Sequence, residues 1–91
     1  MQEISEKNLH LAVVLGSYIK ELRIKKGHIS RKKFADEYDL NDSNLSKIER
    51  GLIEAKFVTL LKILQALDIT PSEFMKELEN KLGKNFTLID E

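Results

Sequence analysis

The sequence predicts an all-α domain built from five helices, and three observations predict it. Apolar residues recur three and four positions apart along most of the chain, which is the spacing of one helical face. Helix-start residues stand before those runs: Ser30, Asn41 and the Thr70-Pro71-Glu73 set. Glycines close them at Gly27, Gly51 and Gly83. Ninety-one residues make one domain over 1–91, with a core from about 9 to 82 and a tail over 83–91.

The first helix is expected from about 8 to 26, after a polar, loosely held segment over 1–7. Leu11, Val14, Leu15, Tyr18, Ile19 and Leu22 form its core stripe. Lys25 and Lys26 complement the negative end of its dipole, and Gly27 supplies the cap beyond. Arg23 lies at the edge of the stripe, and Val13 and Ile24 point elsewhere.

The second and third helices fill 30–51, the stretch around which the chain is organised. Ser30 is a good N-cap because its hydroxyl can accept from an orphan backbone N–H. Phe34, Ala35 and Tyr38 follow at helical spacing. Asp39-Leu40 makes the break and Asn41 caps the third helix. There Leu45 and Ile48 form one thin apolar stripe, while Asp42, Ser43, Ser46, Lys47 and Arg50 lie on or near the other side. A helix of that kind suits the major groove of duplex DNA, where every base edge displays donors and acceptors. Arg31, Lys32 and Lys33 directly after Ser30 oppose the helix dipole by a few tenths of a kcal/mol each. Their position makes sense if they meet a phosphate there.

The fourth helix is expected over about 57–67. Phe57, Leu60, Leu61, Leu64 and Leu67 face the core, and Val58 and Ile63 widen its apolar surface. After the joint at Asp68-Ile69, Thr70, Pro71 and Glu73 make a capping box with Pro at the first helical position. Ile69 and Phe74 are spaced as a hydrophobic staple. Phe74, Met75, Leu78 and Leu82 form the buried stripe of the fifth helix. The tail carries Phe86, Leu88 and Ile89 and is too apolar to be wholly solvated. It is expected either to fold back over its own core or to pack across a two-fold axis.

Composition excludes several classes of function. There is no Cys, so disulfides and thiolate metal sites are absent. His10 and His28 are isolated from each other, and no paired His, Gly-rich phosphate loop or metal-ligand spacing occurs. The chain therefore reads as a protein without metal or cofactor, and not as an enzyme. No run is apolar enough for a membrane span and there is no signal peptide, which reads as cytoplasmic. Net charge is zero, but it is segregated. Residues 20–33 hold seven Lys or Arg and one acid, whereas 34–46 hold four acids and no base. A neutral chain with positive patches neutralises only a few phosphates, which favours selective binding over coating of nucleic acid.

The 30–51 stretch resembles the helix-turn-helix of the phage repressor and Cro type, the XRE family. Ser30, Phe34, Ala35, Leu40, Leu45, Ser46, Ile48, Glu49, Arg50 and Gly51 carry the resemblance, which extends over about 15–78. The chain departs from the family at Arg31, where Gln is usual, and at Asp39, where Gly is usual. Asp tolerates unusual backbone angles better than most residues. The resemblance implies a five-helix repressor-like fold. It also implies sequence-specific binding of double-stranded DNA as a small transcriptional regulator, here a dimeric repressor on a palindromic operator. The alternative is an interaction module, such as the antitoxin of a toxin–antitoxin pair or the controller of a restriction system.

Roles for individual residues follow from helix position, from the apolar pattern and from the same resemblance. Base contacts are expected from Asp42, Ser43, Ser46 and Lys47. Lys47 suits guanine O6 or N7, and Asp42 is either an acceptor for cytosine N4 or an ordinary first-turn acid. Phosphate contacts are expected from Arg31, Lys32, Asn41, Asn44, Arg50 and Lys56, with Asn44 open to a purely local capping role. Arg23 and Glu49 are expected to pair and lock the third helix to the first. The homodimer interface is expected at Phe74, Leu78, Phe86 and Leu88, with Phe86 and Leu88 alternating as in an extended strand.

Overall fold

The computed structural model describes residues 5–89 as five helices: α1 (Glu6–Lys25), α2 (Arg31–Glu37), α3 (Asp42–Glu49), α4 (Phe57–Ala66) and α5 (Pro71–Leu82). Four of the five begin on a residue that the local sequence selects, and α4 follows Lys56 without a side-chain cap. The hydroxyls of Ser5, Ser30 and Thr70 and the side-chain carbonyl of Asn41 accept from the N–H three residues on. α1 thus starts two residues earlier than its apolar stripe suggests, because Ser5 caps it; residues 1–4 lie outside the described part. At Thr70 only one half of the capping box forms as expected. The Glu73 N–H donates to Thr70 Oγ1 (3.2 Å), while that hydroxyl donates to Glu73 Oε1 (3.0 Å).

α1 to α4 end in one device. A residue of positive φ follows the last turn, and the N–H of the residue after it returns to a carbonyl inside the helix, so an orphan acceptor is satisfied. The positive-φ residues are Gly27, Asp39, Gly51 and Asp68. The returning bonds are His28 to Arg23, Leu40 to Ala35, Leu52 to Lys47 and Ile69 to Leu64, at 2.8 to 3.1 Å. Asp39, with φ 54°, takes the place of the usual Gly in the α2–α3 turn. Lys62 of α4 steadies that turn by donating to the Asp39 carbonyl at 2.7 Å.

Tyr18, Ile19 and Leu22 of α1 meet Phe34, Ala35, Leu45, Ile48, Ile63, Leu64, Leu67, Phe74 and Leu78 in one core. Tyr18 stacks on Phe74 at 4.8 Å between ring centroids, and Lys81 lies 5.0 Å over the same Tyr18 ring while pairing with Glu21. Burial, then the Glu77 carboxylate, raise the Tyr18 hydroxyl above its ordinary pKa.

Several expectations about burial change. Ile63 is completely buried, while Phe57 and Val58 are 72% and 76% exposed. Phe57 has the right spacing for the stripe, but α4 outruns the core at its first turn. Met75 is likewise exposed, one position beyond the buried edge set by Phe74 and Leu78. Phe74 and Leu78, expected at an interface between copies, are 0% and 5% exposed inside the chain's own core and are not available to a partner. The tail is not an extended strand. It turns at 84–85 and folds back on α1, with Phe86 5.7 Å from the His10 ring and the Ile89 carbonyl accepting from Lys7.

α1 and α3 cross at Gly16. A Cβ there would collide with the Ile48 carbonyl oxygen and stand 3.0 Å from the Glu49 backbone. Gly51, with φ 71°, similarly leaves room for Val13. Gly16→Ala therefore forces two backbones apart, at a cost of about 1–3 kcal/mol for overpacking. Better helix propensity returns at most about 1 kcal/mol. We expect a melting temperature lower by several degrees, and an unchanged or higher one in a calorimetric scan would contradict the close crossing.

Candidate nucleic-acid interface

α3 is the element to be presented, and its inner side is fixed in two ways. Leu45 and Ile48 are buried against the core, and Glu49, 7% exposed, is bound by Arg23, 3% exposed. Arg23 Nε donates to Glu49 Oε2 at 2.7 Å and Nη2 to Oε1 at 3.0 Å, a two-point bond that fixes orientation as well as distance. Arg23 Nη1 donates to the carbonyls of His28 and Ile29 at 2.6 and 2.9 Å. One guanidinium thus joins the end of α1, the loop leading to Ser30, and α3.

The outer face of α3 then carries Ser43 and Lys47, both exposed, with Ser46 partly covered beside them. Arg50 curls back so that its Nε donates to the Ser46 carbonyl at 3.3 Å. Lys20, Arg31, Lys32, Ser46 and Arg50 rim a concavity of about 420 Å³ whose floor is the Arg23–Glu49 pair. Several expected phosphate and base residues are therefore brought together. Lys20 was missed by the sequence reading, although it sits one turn before Arg23 on the same face of α1 and its spacing could have revealed it.

The remaining expected residues are placed differently. Asn41 holds the start of α3 by accepting from the Asn44 N–H at 2.9 Å. Asn44 borders a separate hollow with Leu45, Ile48 and Val58, on the side of α3 that faces α4. Lys56 is exposed at the start of α4 and stands outside the basic concavity.

Arg31 and Asp42 form the feature that the sequence did not foresee. They are the first residues of α2 and α3, and Arg31 Nε donates to Asp42 Oδ1 at 2.8 Å. Their side chains are 38% and 34% exposed. The hydrogen bond from Arg31 holds the Asp42 carboxyl below its ordinary pKa, and the same bond raises Arg31. A depressed carboxyl stabilises the fold above its unfolded pKa, and that contribution fades as pH falls through the lower folded value.

A family model described as helix-turn-helix matches residues 19–74. Control protein C.MunI of Mycoplasma sp is 34% identical over 71 residues, covering 78% of this chain and 96% of that protein. Control protein C.BamHI of Bacillus amyloliquefaciens is 29% identical over 66 residues, covering 72% and 82%. Among solved structures, the restriction-modification controller protein C.AhdI from Aeromonas hydrophila matches with a TM-score of 0.63 at 36% identity, over 69% of this chain and 94% of that one. A single-residue variant of the restriction-modification controller protein C.Esp1396I matches with a TM-score of 0.72 over 82% of this chain and 94% of that one. Its 24% identity supports the fold alone.

The buried ion pair is the part of the site most exposed to test by stability. Removing one partner of such a pair costs about 3–5 kcal/mol, because a charge is left buried without compensation. Glu73→Ala forfeits only the exposed contact to Thr70, about 1 kcal/mol. Denaturant titration of Glu49→Ala and Glu73→Ala should therefore separate them widely, and equal small losses would mean that Arg23 does not depend on Glu49.

Proposed function

The chain belongs to the XRE-type helix-turn-helix family of DNA-binding transcription regulators, and from that premise we propose that it is the controller of a restriction–modification system, acting as a dimeric repressor on a palindromic operator. The observation that carries the DNA reading is the pinned α3, whose Ser43, Ser46 and Lys47 face outward beside a basic rim. The controller assignment is supported by relatives named as control proteins that match along most of their own length. The protein works in the cytoplasm on double-stranded DNA. Lys47 donates to guanine, Ser43 and Ser46 meet base edges, and Lys32 and Arg50 meet the backbone.

An eight-residue helix is about 12 Å long and reads only one half-site. A single module also offers little contact area. A second copy related by a two-fold axis supplies the other half and makes an inverted repeat the natural target. With Phe74 and Leu78 inside the core, the surface we assign to the second copy is the start of α4. Phe57, Val58 and Leu52 are all more than half exposed there, and Val58 borders the same hollow as Asn44 and Ile48 of α3. Glu54 and Lys56 flank the patch in opposite charge, so it can face a copy of itself. Phe86 and Leu88 of the tail provide at most an outer contact, since Phe86 is held against His10.

Selection from random duplexes tests the function. The wild type should enrich an inverted repeat, with binding that weakens as salt rises; binding without sequence preference would refute the reading. Lys47→Ala should relax preference at one position per half-site by about 1–3 kcal/mol. For the dimer, Phe57→Ser with Val58→Ser should give a folded monomer in sedimentation, while a chain ending at Gly83 should still dimerise. The reverse result would return the interface to the tail.

A further inference from the structure

The Arg31–Asp42 pair changes what both residues are for. A guanidinium meant for phosphate gains nothing from a carboxylate at 2.8 Å. The acid cancels its charge, and counterion release at that point falls. A guanidinium meant for a base gains a great deal. Its long side chain is anchored at Nε, so less rotamer freedom is lost when it binds. Its Nη1 and Nη2 have no partner among the described residues and form a two-point donor. Guanine presents two matching acceptors, O6 and N7, in the major groove. The location agrees, because the bond to Asp42 draws the guanidinium to the first turn of α3. That end of the helix is the one that reaches base edges.

We propose that Arg31 is a guanine-reading residue and that Asp42 is the positioning residue that orients it. This replaces phosphate contact by Arg31 and cytosine contact by Asp42, and it rests on the proposed docking of α3 in the major groove. It also explains why an acid stands beside the DNA face. Bonded to Arg31, Asp42 presents little net repulsion to the backbone, and it disfavours misdirected contacts of Arg31 with phosphate.

The test is duplex selection and salt titration with the wild type, Arg31→Ala, Asp42→Ala and the double variant. The pair is about one-third exposed, so all four should fold, and circular dichroism checks this. Arg31→Ala should erase a guanine preference at one position per half-site and weaken binding to the selected operator by about 10- to 100-fold. It should leave affinity for unrelated duplexes nearly unchanged. Asp42→Ala should blur the same position while raising non-specific affinity and steepening the salt dependence, because Arg31 is released toward phosphates. In the double variant Asp42→Ala should have no further effect on that position. The proposal is overturned if Arg31→Ala weakens all duplexes alike and lowers the salt slope by about one ion. It is equally overturned if Asp42→Ala alters a different position from Arg31→Ala. In both cases a sequence-selective wild type leaves the proposed function standing, whereas a wild type without preference removes the function and this inference together.

Discussion

The Arg23 guanidinium is the interaction on which the rest of the arrangement depends. Two of its nitrogens hold Glu49, and the third holds the carbonyls of His28 and Ile29. Burying an ion pair is costly, and a pair of this kind stabilises only when geometry and additional hydrogen bonds repay the lost hydration. Here no buried polar side-chain atom among the described residues lacks a partner. The bond does more than attach α3 to α1. Ile29 leads directly into Ser30, the N-cap of α2, so the position from which Arg31 emerges is set by the same group that orients α3. The spatial relation between the two helix starts is therefore fixed from beneath.

Gly16 completes that fixation from the other side. Arg23 holds the end of α3 through a side chain, and Gly16 lets the α1 backbone touch the last turn of α3 without an intervening Cβ. A rigid scaffold under a short helix matters because the outward face bears few groups. With Ser43, Ser46 and Lys47 as its outward groups, small errors of tilt would misplace each of them. Strained, well-determined turns serve the same end. Asp39 occupies positive φ between α2 and α3, and Lys62 ties its carbonyl to α4.

What could be read from the sequence was mostly local. Ser30, Asn41 and Thr70 announce helix starts because their side chains bond within three residues, and Gly27, Gly51 and Gly83 mark ends for an equally local reason. The positive-φ role of Asp39 was visible only against the family pattern, and that of Asp68 was not visible at all. Arg23 with Glu49 came from resemblance, since 26 residues separate them and no spacing rule links the two. Gly16 could not be read, because a glycine within a helix looks like a local cost until its distant neighbour is known. The α4 stripe was misread at its start: periodicity gives the direction of a side chain, but not how far the core extends along the helix. Phe57 points correctly and finds no core beside it.

Electrostatics then bears on selectivity. A chain of zero net charge has little long-range attraction to DNA, so affinity must come from a few placed contacts. The segregation of charge meets this need. Basic side chains gather at Lys20, Lys32 and Arg50 around the concavity, whereas four acids and no base occupy residues 34–46, Asp42 among them at the first turn of α3. Such acids repel phosphates that approach in the wrong register and cost little in the right one, provided the acid nearest the bases is already engaged. Asp42 meets that condition through its bond to Arg31. Weak non-specific binding and a rigid, sparsely furnished helix are then two parts of one solution. The first lowers the competition from bulk DNA, and the second makes each matched base count in full, which together set the ratio that a regulator must achieve.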